Sequence, residues 1–155
     1  MKTLKTDRFS RRQFVKTAAA AASMTVAFPH VLRGAADDKP IRFGVVGCGG
    51  RGRGACRDAM SAAPNVKLVA AADLYEDRLE GLRDAAQDMA DLDSKYCFLG
   101  PDAYKKLLDV DLDYVILATP PCFRPLHLPA CIEAGKHVFM EKPAAVDPVG
   151  IRKIL

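Results

Sequence analysis

Apolar and polar positions along the chain alternate between short apolar runs and longer amphipathic stretches. The apolar runs predict five β-strands, at 41–46, 66–72, 96–99, 114–118 and 137–140. The stretches between them predict helices at 51–62, 75–89, 101–108 and 126–134, and Asp147-Pro148 predicts the start of another. Strands that alternate with helices, and that are apolar almost throughout, are typical of a parallel sheet buried on both faces. The predicted fold class is therefore α/β, a doubly wound parallel sheet.

The last predicted helix carries an apolar stripe made of Ile151, Ile154 and Leu155. An amphipathic helix buries such a stripe against another element, but no further sequence follows it here. We therefore expect a truncated domain, whose partner surface for this helix lies outside the chain.

The first 36 residues have the charged, apolar, small-residue order of an export signal. The segment Ser10-Arg11-Arg12-Gln13-Phe14-Val15-Lys16 resembles the twin-arginine pattern S-R-R-x-F-L-K, with valine in place of leucine. The apolar run at 17–28 is shorter than the roughly 20 residues that a membrane-spanning helix needs. We therefore predict a twin-arginine signal at 1–36, recognised by the twin-arginine export machinery, with cleavage after Ala36 and no stable membrane anchor. The location that follows is periplasmic or otherwise exported; a disordered basic tail is the alternative.

Net charge and cysteine content limit the classes of function that are expected for residues 37–155. The chain has a formal net charge of +4, but residues 1–36 hold seven basic residues and one acid, so residues 37–155 carry −2. A nucleic-acid partner is not expected for a domain with this charge. The five cysteines show no C-x-x-C spacing and are expected as small core residues. The alternative is a reactive thiol at Cys48, just before a predicted helix.

A glycine-rich turn joins the first predicted strand to the first predicted helix. Gly47, Cys48, Gly49, Gly50, Arg51 and Gly52 match the pattern G-x-G-x-x-G. In this context the first glycine permits a tight turn, the second admits a pyrophosphate and the third lets helix and strand pack closely. The helix N-terminus offers free N–H groups to the phosphates, and Arg51 or Arg53 adds charge. The pattern predicts a dinucleotide-binding Rossmann domain at 37–155.

Asp73 ends the second predicted strand, where a carboxylate accepts hydrogen bonds from the ribose hydroxyls of a dinucleotide. It would repel a 2′-phosphate, so the expected cofactor is NAD, and NADP is less favoured. The alternative is that Asp73 caps the helix that starts near Tyr75. Tyr75 itself is expected either to flank the adenine or to pack. The acids Asp84, Asp88, Asp91 and Asp93 are read as a solvated helix face and loop, with no metal site.

The segment 134–143 reads Ala-Gly-Lys-His-Val-Phe-Met-Glu-Lys-Pro. It closely resembles the A-G-K-H-V-x-x-E-K-P signature of the Gfo/Idh/MocA oxidoreductases, and Ala118-Thr119-Pro120-Pro121 resembles their A-T-P-x segment. His127 also falls where that family usually has histidine, whereas Cys122 departs from the polar or imidazole side chain of many relatives. The resemblance covers about residues 40–155.

This resemblance implies a nucleotide-binding domain truncated before a second α/β domain that carries the substrate site and, in many relatives, a histidine base. It implies an NAD(P)-dependent oxidoreductase that transfers hydride between a sugar- or polyol-type hydroxyl and the nicotinamide, and a homo-oligomer when complete. Thr119, Pro120, His127 and Glu141 would lie by the cofactor. Lys142 would lie by both the cofactor and the substrate, as the catalytic residue, oriented by Glu141.

Several alternatives remain open from the residues. Glu141 and Lys142 read alone are an exposed pair before a turn proline, and His127 is as well explained by a place on a helix face. His137 is expected in the core. Two other functions are NAD-assisted glycoside cleavage or elimination on the same scaffold, and a non-catalytic exported binding protein.

Overall fold

The computed structural model describes residues 39–86 and 92–155. The predicted signal at 1–36 lies outside the described residues, as do Asp88, Asp91 and the end of the helix predicted to reach residue 89. The strands are β1 (Ile41–Val46), β2 (Val66–Asp73), β3 (Cys97–Leu99), β4 (Tyr114–Leu117) and β5 (His137–Met140). The helices are α1 (Gly50–Ala62), α2 (Glu76–Ala86), α3 (Ala103–Leu108), α4 (Arg124–Glu133) and α5 (Pro148–Ile154).

The five strands form one parallel sheet in the order β3-β2-β1-β4-β5. The strand order reverses between β1 and β4, so the loops that follow these two strands diverge and leave a crevice at the carboxyl edge. Every predicted strand is present, and the structure confirms the predicted α/β doubly wound class.

Helices cover both faces of the sheet and bury two separate apolar clusters. One cluster joins α1 and α2 to the sheet and includes Cys56 and Leu82; the other joins α3 and α4 and includes Leu107 and Cys131. Consecutive side chains of a strand point to opposite faces of the sheet. In β1, Val45 therefore belongs to the first cluster and Val46 to the second. This two-sided burial is why the strands read as continuous apolar runs.

A register shift in β2 explains one irregularity in that alternation. Phe43 pairs with Leu68, but Gly44 pairs with Ala70, so Val69 is an extra residue between them. A β-bulge of this kind places two consecutive residues on one face. As a result, Leu68 and Ala71 lie on the same face although they are three positions apart.

The sequence prediction placed His137 in the core, and the structure shows this to be wrong. His137 begins β5, which lies at the edge of the described sheet, and its side chain is exposed. A side chain at the start of an edge strand is buried only if another part of the protein packs over it, and the apolar pattern of the strand does not reveal this. Gly135 does adopt the predicted left-handed conformation, with φ of 69°, after α4.

Helix α5 begins as predicted, since the Asp147 carboxylate accepts a hydrogen bond from the Gly150 N–H at 2.6 Å. None of its residues is buried, and Ile151 is 39% exposed. Among the helices in the described ranges, none combines the length and the apolar character needed to cross a membrane.

Candidate nucleotide-binding site

Two glycines of the turn between β1 and α1 are required by close backbone approach. Gly47 has φ of +95°, and a Cβ there would lie 2.8 Å from the backbone of Ala118 and Thr119 at the end of β4. A Cβ at Gly52 would overlap the carbonyl oxygen of Gly47. A side chain at Gly47 would force the turn away from the end of β4, and one at Gly52 would force α1 away from the turn. The first and third glycines of the pattern therefore permit the tight turn and the close approach of the helix.

The middle of the turn is open, in contrast. A Cβ at Gly50 would meet no atom within 4 Å, and one at Gly49 would lie 3.6 Å from Arg78 Nη1 as its nearest neighbour. Helix α1 has no side-chain cap and no acidic residue in its first turn. Its first N–H groups therefore face open space with the positive end of the helix dipole behind them, which fits a diphosphate.

Asp73 ties the end of β2 to this turn. Its Oδ2 accepts a hydrogen bond from the Cys48 N–H at 2.6 Å, and its Oδ1 accepts one from the Tyr75 N–H at 3.1 Å. Because α2 begins at Glu76, Asp73 is not the residue that caps this helix. Each carboxylate oxygen accepts more than one hydrogen bond, so the oriented carboxylate keeps capacity for ribose hydroxyls.

Two expectations for Cys48, a reactive thiol and a contact with the cofactor, are not met. Its side chain is fully buried, and its Sγ lies 3.6 Å from the Ala72 carbonyl oxygen. Burial, and then the nearby Asp73 charge, raise the pKa of this thiol far above its usual value, so the reactive-thiol interpretation is wrong. Cys48 is also outside the cleft lining and its N–H is bonded to Asp73, so neither its side chain nor its N–H makes the predicted cofactor contact.

A cleft of about 1020 Å³ opens along the carboxyl edge of the sheet. The site residues predicted from the sequence that line it are Gly47, Gly49, Gly50, Arg51, Gly52, Asp73, Thr119, Pro120, His127, Glu141 and Lys142. Tyr75 lines it as well and is 63% exposed, which removes the packing interpretation. Arg53 is outside the lining and lies against Gly81 on α2, so the suggested phosphate contact by Arg53 is wrong.

His127 forms a shielded pair with Thr119 in this lining. Its Nδ1 lies 3.3 Å from the Thr119 Oγ1, and its ring packs against Tyr104 and Phe123, with centroid distances of 4.6 and 6.0 Å. Burial lowers the pKa of His127 to about 4. The imidazole is therefore neutral at physiological pH, and it holds the threonine hydroxyl at the cleft wall.

Glu141 has a different partner from the one expected. Arg51 Nε donates a hydrogen bond to Glu141 Oε1 at 2.6 Å, and Arg51 Nη2 forms an ion pair with the same oxygen. This pairing lowers the pKa of Glu141 and raises that of Arg51. The ion pair joins the start of α1 to the loop after β5, so the expectation that Glu141 orients Lys142 is wrong for this structure.

Lys142 follows in the same loop, with an exposed side chain and a cis peptide bond to Pro143. Lys142 lines the same cleft as the glycine turn and Thr119. A cation there can stabilise negative charge that develops on a substrate oxygen.

Arg124 is a cleft residue that the sequence analysis missed. It is 4% exposed, and its Nε and Nη2 donate to the Thr119 carbonyl oxygen at 3.1 and 2.9 Å. Its Nη1 donates to the carbonyl oxygens of Glu141 and Pro143. Burial lowers the pKa of the guanidinium, which nearby Glu141 opposes. The available signal was a single charged residue in an otherwise uncharged run, 114–132.

Strand order, the uncapped glycine turn and the acid at the end of β2 together define a dinucleotide-binding Rossmann domain. Residues 41–155 match the model of a family described as "Oxidoreductase family, NAD-binding Rossmann fold". The chain belongs to this family, the Gfo/Idh/MocA oxidoreductases, as the resemblance of its motifs implied, and its domain is an NAD-binding one.

Two curated proteins that are similar in sequence to this chain have names that describe different activities. The chain is 30% identical over 108 residues to a glycosyl hydrolase family 109 protein of Streptomyces coelicolor, covering 69% of this chain and 23% of the relative. It is 29% identical over 115 residues to an inositol 2-dehydrogenase/D-chiro-inositol 3-dehydrogenase of Halalkalibacterium halodurans, covering 74% and 31%. The chain thus spans between about a quarter and a third of these proteins.

Solved structures agree on the fold. The WlbA dehydrogenase of Bordetella pertussis, in complex with NADH and UDP-GlcNAcA, superposes with a TM-score of 0.61 at 26% identity, over 75% of this chain and 32% of that one. A scyllo-inositol dehydrogenase of Lactobacillus casei with bound NAD(H) gives 0.61 at 24% identity, over 75% and 32%. At this lower identity, the similarity to the Lactobacillus casei structure shows only that the two proteins share a fold.

Proposed function

We propose that this chain is the nucleotide-binding part of an exported, NAD-dependent oxidoreductase acting on a sugar- or polyol-type hydroxyl. One observation carries the proposal: the open glycine turn, Asp73 and Lys142 line a single cleft at the carboxyl edge of the sheet. The curated inositol dehydrogenase relative and the sugar-nucleotide ligand of the WlbA complex support a polyhydroxylated substrate. A second α/β domain and homo-oligomer assembly belong to the same proposal.

The chain's own groups divide the work of binding. The N–H groups at the start of α1 hold the diphosphate, and Gly49 keeps that surface free of side chain. Asp73 orients a ribose through its carboxylate, whose charge favours NAD over NADP. Thr119, Pro120 and the shielded His127 form the wall at the end of β4. Residues 37–155 form this domain in the proposal.

Lys142 provides the catalytic cation. A bound nicotinamide would supply the hydride acceptor or donor. In the oxidation direction a base of the proposed second domain would take the hydroxyl proton, and this chain would stabilise the negative charge that develops on the oxygen. Lys142 lines the cleft, where its ammonium would donate a hydrogen bond to that oxygen and lower the barrier electrostatically. Glu141 is held by Arg51 and leaves the ammonium free to face the substrate.

Substitution of Lys142 tests this function in the full protein. We expect Lys142→Ala to lower turnover of a polyol substrate by about 100-fold or more, the range for removal of one donor that stabilises a developing oxyanion. The affinity for NADH, followed by its fluorescence, should change less than about threefold, since the diphosphate and ribose contacts remain.

Lys106→Ala is the matched control, because Lys106 is exposed on α3 and lies outside the cleft lining. It should leave both quantities unchanged. Full turnover in Lys142→Ala would contradict the assignment, and a non-catalytic binding protein would then be the better reading.

The family 109 relatives favour a second candidate on the same scaffold, NAD-assisted glycoside cleavage or elimination. In that reaction the cofactor is reduced and reoxidised within one cycle. Mass spectrometry of products separates the two. Released sugar with no ketone product indicates cleavage, whereas a ketone formed in equal amount with a reduced second substrate, or with bound NADH when no second substrate is added, indicates oxidation.

Export through the twin-arginine route, with residues 1–36 as the signal, completes the proposal. Folded proteins travel by this route, so a dinucleotide can be loaded before export. Nicotinamide nucleotides are scarce outside the cytoplasm, and we therefore propose that the cofactor stays bound, reduced by one substrate and reoxidised by another.

A further inference from the structure

We infer that Arg124 is a positioning residue that fixes the direction of the Lys142 ammonium in the cleft. The inference rests on the proposed function, in which Lys142 acts on the substrate. In this proposal the buried guanidinium contributes to the reaction, in addition to packing beneath the loop after β5.

The guanidinium of Arg124 lies in an unusual environment for a charged group. Arg124 is 4% exposed, and no carboxylate in the described ranges lies within 4.0 Å of it as an ion-pair partner. A buried cation is costly unless its donors are satisfied. Within the described part of the chain, the Arg124 side chain donates its hydrogen bonds to backbone carbonyl oxygens.

The carbonyl groups that Arg124 binds belong to two different loops of the cleft. Thr119 lies in the loop after β4, whereas Glu141 and Pro143 lie in the loop after β5. The latter two residues flank Lys142 on both sides, and a single nitrogen, Arg124 Nη1, reaches both of their carbonyl oxygens. Arg124 therefore connects the peptide groups on both sides of Lys142 to the loop after β4, where Thr119 lines the cleft.

The loop after β5 depends on Arg124 for part of its support. Strand β5 pairs with β4 and lies at the edge of the described sheet, and Lys142 and Pro143 are exposed. The Arg51–Glu141 ion pair and the hydrogen bond from the Glu141 N–H to the Leu117 carbonyl oxygen hold the loop at Glu141, whereas Arg124 also holds it at Pro143, on the other side of Lys142. The guanidinium is a rigid planar fork with five N–H groups, and it binds several carbonyls in one geometry. A lysine ammonium at position 124 keeps the charge but loses the fork.

The test is a double-mutant cycle in the full protein, with NAD bound and turnover counted per folded, cofactor-loaded molecule. Arg124→Lys should lower kcat/KM by at least about tenfold while NADH affinity changes less than about threefold. In the Lys142→Ala background the same substitution should have almost no further effect, because the side chain that Arg124 positions is then absent. A residue that only stabilises the fold would instead lower the melting temperature and cofactor binding equally in both backgrounds.

Arg124→Gln, which keeps two donors without the charge, serves as a second variant if Arg124→Lys folds poorly, and Arg57→Lys on the exposed face of α1 is the control. Additive losses in the two backgrounds, or full activity of Arg124→Lys, would overturn the inference. If Lys142→Ala alone keeps full turnover, the proposed function fails instead, so the two failures are distinguishable.

Discussion

At the scale of single residues, the site depends on groups whose charge state is set by burial. His127 is the clearest case: it is 6% exposed, packed between two aromatic rings, and its Nδ1 faces the Thr119 hydroxyl. An imidazole in such a place stays neutral because protonation would bury an unpaired charge. It acts as a scaffold for Thr119 and not as a proton-transfer group near neutral pH.

This burial makes the fold sensitive to acid. The folded-state pKa of His127 is about 4, against 6.5 for the unperturbed group, so below pH 6.5 the unfolded state gains a proton that the folded state does not. Stability is therefore lost as the pH falls from 6.5 towards 4, by about 2 kcal/mol at pH 4.5 relative to pH 7. Urea unfolding at both pH values should show that His127→Gln lacks this loss.

His137→Gln, at an exposed position on β5, serves as the control and should lose stability with acid as the wild type does. Equal acid sensitivity of His127→Gln and the wild type would show that His127 is not a source of the effect.

At the scale of elements, the position of α1 is set by backbone contact. Gly52 rests on the carbonyl oxygen of Gly47, so the N-terminus of the helix lies at the end of β1 and opens into the cleft. The free N–H groups of the helix and the acid at the end of β2 meet there because both strands are parallel and adjacent. The site is therefore a consequence of how this βαβ unit packs.

Two alanine substitutions in α1, two positions apart, separate packing from helix propensity. Gly52→Ala should destabilise the protein by about 2 kcal/mol or more, because its Cβ overlaps Gly47. Gly54→Ala should stabilise it by about 0.5–1 kcal/mol, since its Cβ meets only the end of the Arg51 side chain at 3.9 Å. Denaturant unfolding measures both, and a neutral Gly52→Ala would argue against the close approach.

Local pattern predicted the elements well because each signal is local. Apolar runs define the strands, Gly135 ends α4, and the glycine pattern places the turn at 47–52. The ion pair between Arg51 and Glu141 was not predictable in this way, since its partners are 90 positions apart and meet only in the folded sheet. Arg124 was missed for a related reason: it binds backbone carbonyls, which leave no mark in the identity of the residues that carry them.

At the scale of the whole molecule, the proposed signal and the nucleotide domain make a joint prediction about location. The twin-arginine route reads the paired arginines, so Arg11→Lys with Arg12→Lys should keep the protein in the cytoplasm, whereas Arg8→Lys, outside the pair, should not. Cell fractionation of the full protein measures this, and the exported form should release a dinucleotide when denatured. Unchanged export of the double variant would contradict the proposed signal.

The central claim is that a dinucleotide places its diphosphate on the open middle of the turn at 47–52. Gly49→Val tests it directly, because Gly49 has φ of −66° and ψ of −173°, which valine adopts, and the nearest atom to a Cβ is 3.6 Å away. The measurement is NADH affinity by fluorescence titration of the full protein after removal of bound dinucleotide, with the melting temperature recorded alongside. The account predicts a folded protein with a normal melting temperature and at least a tenfold loss of affinity, about 1.4 kcal/mol. A Gly49→Val protein that binds NADH as tightly as the wild type would contradict it.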